Sequence, residues 1–388
     1  MEKDNTRGYQ IDYGLITILL LIAAVSCLAI KSAQPSLPPS LQNVNFVAKQ
    51  IQWYVIGVIA IGVTMIIDFD RYKQISWYLY GFAMILLLGL EFKVPGSQTI
   101  KGATAWYTLP AGLGNFQPSE LMKLFMILVL SRILTNHKEM YPNPTPEEDL
   151  KLLGKIFGAS LPPLLLIAKE PDLGNTMVMT SIIVAIIVVS GIRWRFILGL
   201  TGITVGTGSI LVYIYFAHTA FFKEHILREY QLDRFYGWLA PYEYERQGYQ
   251  LRQAILATGS GELYGKGYQG GEVYFPEPHT DFIFTNIAEQ YGFFGGSVVI
   301  SLFFLLIYRM IHIALESNEP FGSYLCAGTI GMFTFQVFQN IGMTIGLLPI
   351  TGITLPFMSY GGSSLLTYMI AIGFILNVRS RTRKYMFD

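Results

Sequence analysis

His279-Thr280-Asp281-Phe282-Ile283-Phe284 is where the character of the chain changes. Before it lies a segment rich in Tyr, Gly and Pro; after it an apolar run extends from Phe282 to Leu306. A helix needs roughly 20 apolar residues to cross a bilayer, and this run supplies them. Asp281 then stands where an external segment re-enters a membrane, within reach of both water and a lipid headgroup. An ionisable group there is a candidate acid or base for a lipid-linked substrate.

Runs of the same kind recur along the chain. They lie near Tyr13 to Ile30, Ile51 to Ile67, Ile75 to Leu90, Leu121 to Leu134, Leu152 to Ala168, Leu173 to Gly191, Phe196 to Ala217, Phe282 to Leu306, Tyr324 to Ile341 and Ser359 to Asn377. With 52% hydrophobic against 14% charged residues, the 388-residue chain reads as an integral membrane protein. The expected fold is a single all-α polytopic domain of ten transmembrane helices. Pro162-Pro163 should kink the fifth, and the fourth carries Lys123.

Taking the N-terminus as cytoplasmic, the inner segments carry Lys3, Arg7, Arg71, Lys73, Arg193, Arg195, Arg379, Arg381, Arg383 and Lys384 among others. The short outer loops carry Lys31, Lys49, Lys93, Lys101 and Lys169. That bias predicts both termini inside, with residues 379–388 as a basic cytoplasmic tail. The first run suits a span better than a cleaved signal peptide. Cys27 and Cys326 fall inside spans as packing residues, and the near-neutral charge points to no nucleic-acid surface.

Three segments lie between spans. Residues 132–151 read as a cytoplasmic loop, with Pro142, Pro144 and Pro146 ahead of Glu147-Glu148-Asp149. Glu91 to Gln117 lies outside and sets Trp106 and Tyr107 at the interface. His218 to Asp281 is the large extracytoplasmic loop between the seventh and eighth spans. Helical patterns run from Arg228 to Tyr244 and from Tyr249 to Thr258, followed by glycine-rich turns through Gly271. Its Asp and Glu outnumber its Lys and Arg, which leaves room for a divalent cation such as Mg or Mn.

Several charged positions invite a functional reading beside a structural one. Glu120 and Lys123 share a helix face and either pin the helix entry or meet substrate. Asp172 either caps the next helix or joins a site. Glu289, about 12 Å along the helix from Asp281, must be protonated, paired or facing a wet cavity. Asp281 itself competes as an N-cap. Gln339 to Ser364, dense in Gly and Pro without Lys or Arg, suggests a broken or re-entrant element, with a plain interfacial turn as the alternative. Phosphate-loop, paired-histidine and nucleophile-elbow signatures are missing, which argues against nucleotide-driven transport.

Taken together the chain resembles the SEDS (shape, elongation, division and sporulation) family, and its RodA members more than its FtsW members. The likeness rests on Phe116-Gln117-Pro118-Ser119-Glu120 with Lys123, on Arg234, Trp238 and Pro241, and on Gln253-Ala254-Ile255 leading to Gly259-Ser260-Gly261. It extends through Thr280-Asp281-Phe282-Ile283-Phe284 with Glu289 to the block from Gln339 to Ser364. The resemblance implies a peptidoglycan glycosyltransferase of the bacterial cytoplasmic membrane. It would polymerise lipid II during cell elongation alongside a class B penicillin-binding protein that crosslinks the strands. It makes Asp281 the general base. Lys123, Arg234, Arg252 and Lys266 become candidates for the departing pyrophosphate, and Glu120, Trp238, Glu289 and Ser363 join the substrate-binding set. A lipid flippase and a non-catalytic scaffold are the competing readings.

Overall fold

The computed structural model describes residues 12–100, 103–108, 114–170, 172–219, 221–222 and 229–382. Lys3, Arg7, Lys101, Arg228, Arg383 and Lys384 lie outside these residues, as do most of the 379–388 tail and part of the segment after His218. Seven long helices come first: α1 (Tyr13–Ala33), α2 (Phe46–Ile66), α3 (Phe69–Glu91), α4 (Pro118–Met140), α5 (Pro146–Lys169), α6 (Leu173–Val189) and α7 (Trp194–Ala217). Two shorter ones follow, α8 (Glu229–Leu239) and α9 (Tyr249–Ser260), near the positions their patterns predict. The last three are α10 (Ile283–Glu316), α11 (Pro320–Thr344) and α12 (Gly362–Arg381).

Each expected apolar run falls on one long helix. Eight of these helices are long and apolar enough to cross a membrane. The remaining two are α4, which carries Glu120, Lys123, Arg132, Lys138 and Glu139, and α6, an apolar helix of 17 residues. Their starts follow ordinary capping chemistry. The side chains of Asp12, Asn45 and Asp172 each accept a backbone N–H at 2.9 Å at the heads of α1, α2 and α6. Thr145 and Glu148 form a capping box at α5, with Pro146 in the first turn. The helix runs through Pro162-Pro163 to Lys169.

Three expectations need correction. The 132–151 segment is not a loop, because α4 continues to Met140 and α5 begins at Pro146. Only residues 141–145 connect them, and the polar ends of both helices imitate a linker in composition. The fold is not purely α-helical. Ser97–Ile100, Ala103–Thr108 and Asn115–Phe116 form a three-stranded antiparallel sheet in the order β1-β2-β3. Ala103 and Ala105 are buried on one face of β2 while Thr104 and Trp106 are more open, the period of a half-buried strand. Finally, the helix after Asp281 does not stop at Leu306 but runs on to Glu316.

That helix is broken near its start. Gly292 takes φ +62°, which favours glycine, and α10 divides there. The glycine-rich turns after α9 fill the break. Phe293 N–H donates to the Glu262 carbonyl at 2.8 Å, while Lys266 and Gly267 N–H donate to the Glu289 and Gln290 carbonyls at 3.0 Å. The loop thus supplies hydrogen bonds that the interrupted helix cannot, which is how broken helices persist away from water.

The core is built from α4, α11 and α12 with the faces that cover them. On α4 the side chains from Met126 to Leu130 are buried without a gap, and most of α12 is enclosed. No residue of α7 is buried. Cys326 is buried in α11 and Cys27 half-buried in α1, both as free thiols.

Candidate active site

Residues 345–361, between α11 and α12, are not helical, yet Leu355, Phe357 and Met358 are buried. Their polar backbone is met from neighbouring helices. Ser26 donates to the Met358 carbonyl at 2.7 Å, Gln50 to that of Ser359 at 3.2 Å, and the Tyr54 hydroxyl to that of Phe357. Gln339 donates to the Pro349 carbonyl at 2.9 Å. A plain surface turn would use water for these bonds. This is irregular backbone buried in protein.

The segment grips the residues around Asp281. Tyr360 N–H donates to the His279 carbonyl at 2.9 Å, and Ser359 Oγ donates to the Thr280 carbonyl at 2.7 Å. Asn340 Nδ2 donates to the Asp281 carbonyl at 2.8 Å and to that of Ile353 at 2.7 Å. Three successive carbonyls are therefore held. The rings of Phe46, His279 and Tyr360 pack beside them, with centroids 4.6 Å apart for Phe46–His279 and 4.9 Å for Phe46–Tyr360. Phe282, not Asp281, occupies the N-cap position of α10.

Asp281 lines a cavity of about 1260 Å³, and Glu120, Arg234, Trp238 and Ser363 line it too. That is larger than the roughly 300–1,000 Å³ of ordinary small-molecule pockets. Trp238 Nε1 donates to the Gly346 carbonyl at 3.0 Å, and Arg234 to that of Ile350 at 3.2 Å. Helix α8 is thereby fastened to the irregular segment.

Lys123 is buried behind the wall rather than on it. Its ammonium donates to Glu120 Oε1 at 2.8 Å and to Asn175 Oδ1 at 3.0 Å. Glu120 Oε2 is buried with no hydrogen-bond partner among the described residues. Asn175 donates to Asp172 Oδ2 at 2.8 Å, and Gln117 to the same oxygen at 2.9 Å. Asp172 is thus a cap of α6 and also part of the wall, since Gln117, Asp172 and Asn175 all line the cavity. Close to Asp172, burial and then the charges of Asp172 and Glu91 push the Glu170 carboxyl up to about 8.

Arg252, Lys266 and Glu289 are not on the cavity wall. Arg252 donates to the Glu245 carbonyl at 2.8 Å. Lys266 pairs with Glu289 at 3.3 Å and Glu272 at 3.0 Å. Glu289 also accepts the N–H groups of Glu272 and Val273 at 2.9 and 3.0 Å, so it organises the loop that fills the break in α10.

Some cavity residues escaped sequence reasoning. Trp53 on α2 lies against Gly362 at the wall, and the Gly361-Gly362 pair was the available signal for such an approach. Gln336 donates to the Tyr368 hydroxyl at 3.0 Å and leaves its own Oε1 buried and unpartnered among the described residues. Arg246 lines the cavity as well, and only its charge marked it. Among the described residues no group of three or more His, Cys, Asp or Glu comes together as a metal site.

A family model described as cell cycle protein, covering FtsW, RodA and SpoVE, matches residues 13–384. Stage V sporulation protein E of Bacillus subtilis is 34% identical over 98% of this chain and 100% of that protein. The peptidoglycan glycosyltransferase MrdB of Escherichia coli K12 is 32% identical over 96% of this chain and 95% of its own. Among solved structures, one described as showing structural coordination of polymerization and crosslinking by a peptidoglycan synthase complex aligns with TM-score 0.76 at 26% identity. It covers 97% of this chain and 99% of that one. The rod shape determining protein RodA of Thermus thermophilus aligns with TM-score 0.67 at 26% identity, over 97% and 98%.

Proposed function

The chain belongs to the FtsW, RodA and SpoVE family of cell cycle proteins, and from that premise we propose that it is a membrane-embedded peptidoglycan glycosyltransferase. It polymerises lipid II into glycan strands at the bacterial cytoplasmic membrane, in the service of cell elongation and shape. The observation that carries this reading is the Asp281 carboxylate on the wall of a large polar and aromatic cavity, on backbone held at three successive carbonyls.

Asp281 accepts the proton of an acceptor-sugar hydroxyl as its oxygen attacks the anomeric carbon of the donor sugar. The new glycosidic bond forms as the bond from that carbon to the lipid pyrophosphate breaks, and the pyrophosphate leaves with the electron pair. Attack opposite the leaving group inverts the anomeric centre, with the carboxylate as base. Glu120, Trp238 and Ser363 line the space in which the sugars would sit.

All ten long helices cross the membrane in this reading, α4 and α6 included. Both termini are then cytoplasmic, and residues 218–281 form the extracytoplasmic loop. Crosslinking of the strands falls to a class B penicillin-binding protein seated beside this loop. The likeness to a complex that coordinates polymerization and crosslinking supports that arrangement.

The test is to incubate the purified chain, with its crosslinking partner, with lipid II and resolve the glycan by length. Asp281→Asn should give no polymer while folding and inserting normally, since the amide keeps the size of the side chain and leaves the backbone carbonyl free to accept from Asn340 but is a far weaker base. Near wild-type polymer from that variant would remove the base assignment. No polymer from the wild-type pair would remove the enzyme reading.

A further inference from the structure

Resting on the polymerase reading above, we infer that Arg246, beside Arg234, grips the diphosphate of the lipid-linked donor. The donor's diphosphate is already negatively charged when it binds, before any bond breaks, and fixed cations must meet that charge as it leaves water. Most cations near the cavity are already engaged. Lys123 is buried against Glu120 and Asn175, Lys266 is paired with Glu289 and Glu272, and Arg252 is turned to the Glu245 carbonyl. None of these three lines the cavity. Arg234 does, with one of its N–H groups on the Ile350 carbonyl.

Arg246 differs from all of them. Its side chain is exposed on the cavity wall, and its guanidinium has no hydrogen-bond or ion-pair partner among the described residues. Its backbone, by contrast, is tightly held. Gln247 donates to Asp233 on α8 at 3.2 Å, and the Glu245 carbonyl takes its bond from Arg252 on α9. Gly248 N–H donates to the Tyr244 carbonyl at 2.8 Å. Glycines let the turn close this far, because a Cβ on Gly248 would collide with the Pro241 backbone and one on Gly237 with that of Gln247. Both neighbours of Arg246 are thus fastened to helices while its own head group is left to the cavity. A positioned guanidinium presents parallel donors that match phosphate oxygens, which an ammonium does not.

Two measurements test this. In the polymerisation assay, Arg246→Gln should raise KM for lipid II about tenfold with kcat changed less than about threefold, the signature of lost ground-state binding. Arg246→Lys should recover only part of the loss, and Lys49→Gln on exposed α2 surface serves as the charge control. Separately, the binding of undecaprenyl pyrophosphate without sugar is titrated to protein carrying Asp281→Asn, where no turnover can occur. Adding Arg246→Gln should weaken that binding about tenfold, as expected for one charge-assisted contact. Unchanged KM and unchanged binding would overturn the assignment, as would a loss shared equally by Lys49→Gln. Should wild-type protein make no glycan yet bind the diphosphate through Arg246, the polymerase reading falls and the Arg246 site stands.

Discussion

Glu120 and Lys123 stand three residues apart on α4, 2.8 Å between their charged atoms and almost wholly buried. Removing one partner strands the other charge away from water, at a cost of about 3–5 kcal/mol. Lys123→Met should therefore lower the amount of folded protein more than the double variant Glu120→Gln with Lys123→Met. The double variant should still polymerise poorly, because Glu120 also faces the cavity. Recovery of both level and activity would show that the pair is only structural. Glu170, just past the end of α5, gives a pH test. Its carboxyl is raised from an ordinary 4.5 to about 8, first by burial and then by Asp172 and Glu91. Folded protein holds that proton where unfolded chain has released it, so stability falls as pH rises between these values and levels off above. Thermal unfolding in detergent at pH 5.5 and 8.5 should show wild type losing stability at the higher pH. Glu170→Gln, which cannot ionise, should lose less; equal losses would count against a protonated Glu170.

At the scale of elements, the irregular stretch between α11 and α12 matters most, because it holds the segment bearing Asp281. Asn340 is its key contact, donating from α11 to both Asp281 and Ile353 carbonyls. Asn340→Ala should lower kcat at least tenfold with KM nearly unchanged, since positioning within a fraction of an ångström governs reaction more than binding. Protein level, followed alongside, separates misplacement from misfolding, and an unaltered kcat would show that the other two carbonyl bonds suffice. The helices were legible in the sequence because apolar length is a strong local signal. In sequence the 141–145 turn looks like a long loop, since helix ends that leave the apolar layer turn polar and resemble linkers. The strands of 97–116 were missed because they span only two to six residues. The break at Gly292 was invisible too: its cause is a loop from elsewhere in the chain.

Across the whole molecule, Asp281 could be singled out because its position at a segment boundary is a one-dimensional fact. The cavity around it is not one. Trp53, Gln117, Arg246, Gln336 and Tyr368 come from separate elements, and only packing brings them to one wall. Sequence reasoning likewise could not tell a lysine beside a cavity from one sealed behind it, as Lys123 is. The carbonyl grip on residues 279–281 has a further consequence for how a polymer grows. With Asp281 as the proposed base, a proton acceptor on backbone pinned at three successive points has little freedom to travel toward its next substrate. Each round of growth must instead bring a fresh hydroxyl to a stationary carboxylate, and the strand just made has to step aside by one unit before the next can enter. In such a cycle the glycan is the moving part, and the length of the strands is decided by how readily the product slides onward rather than by how far the enzyme can reach.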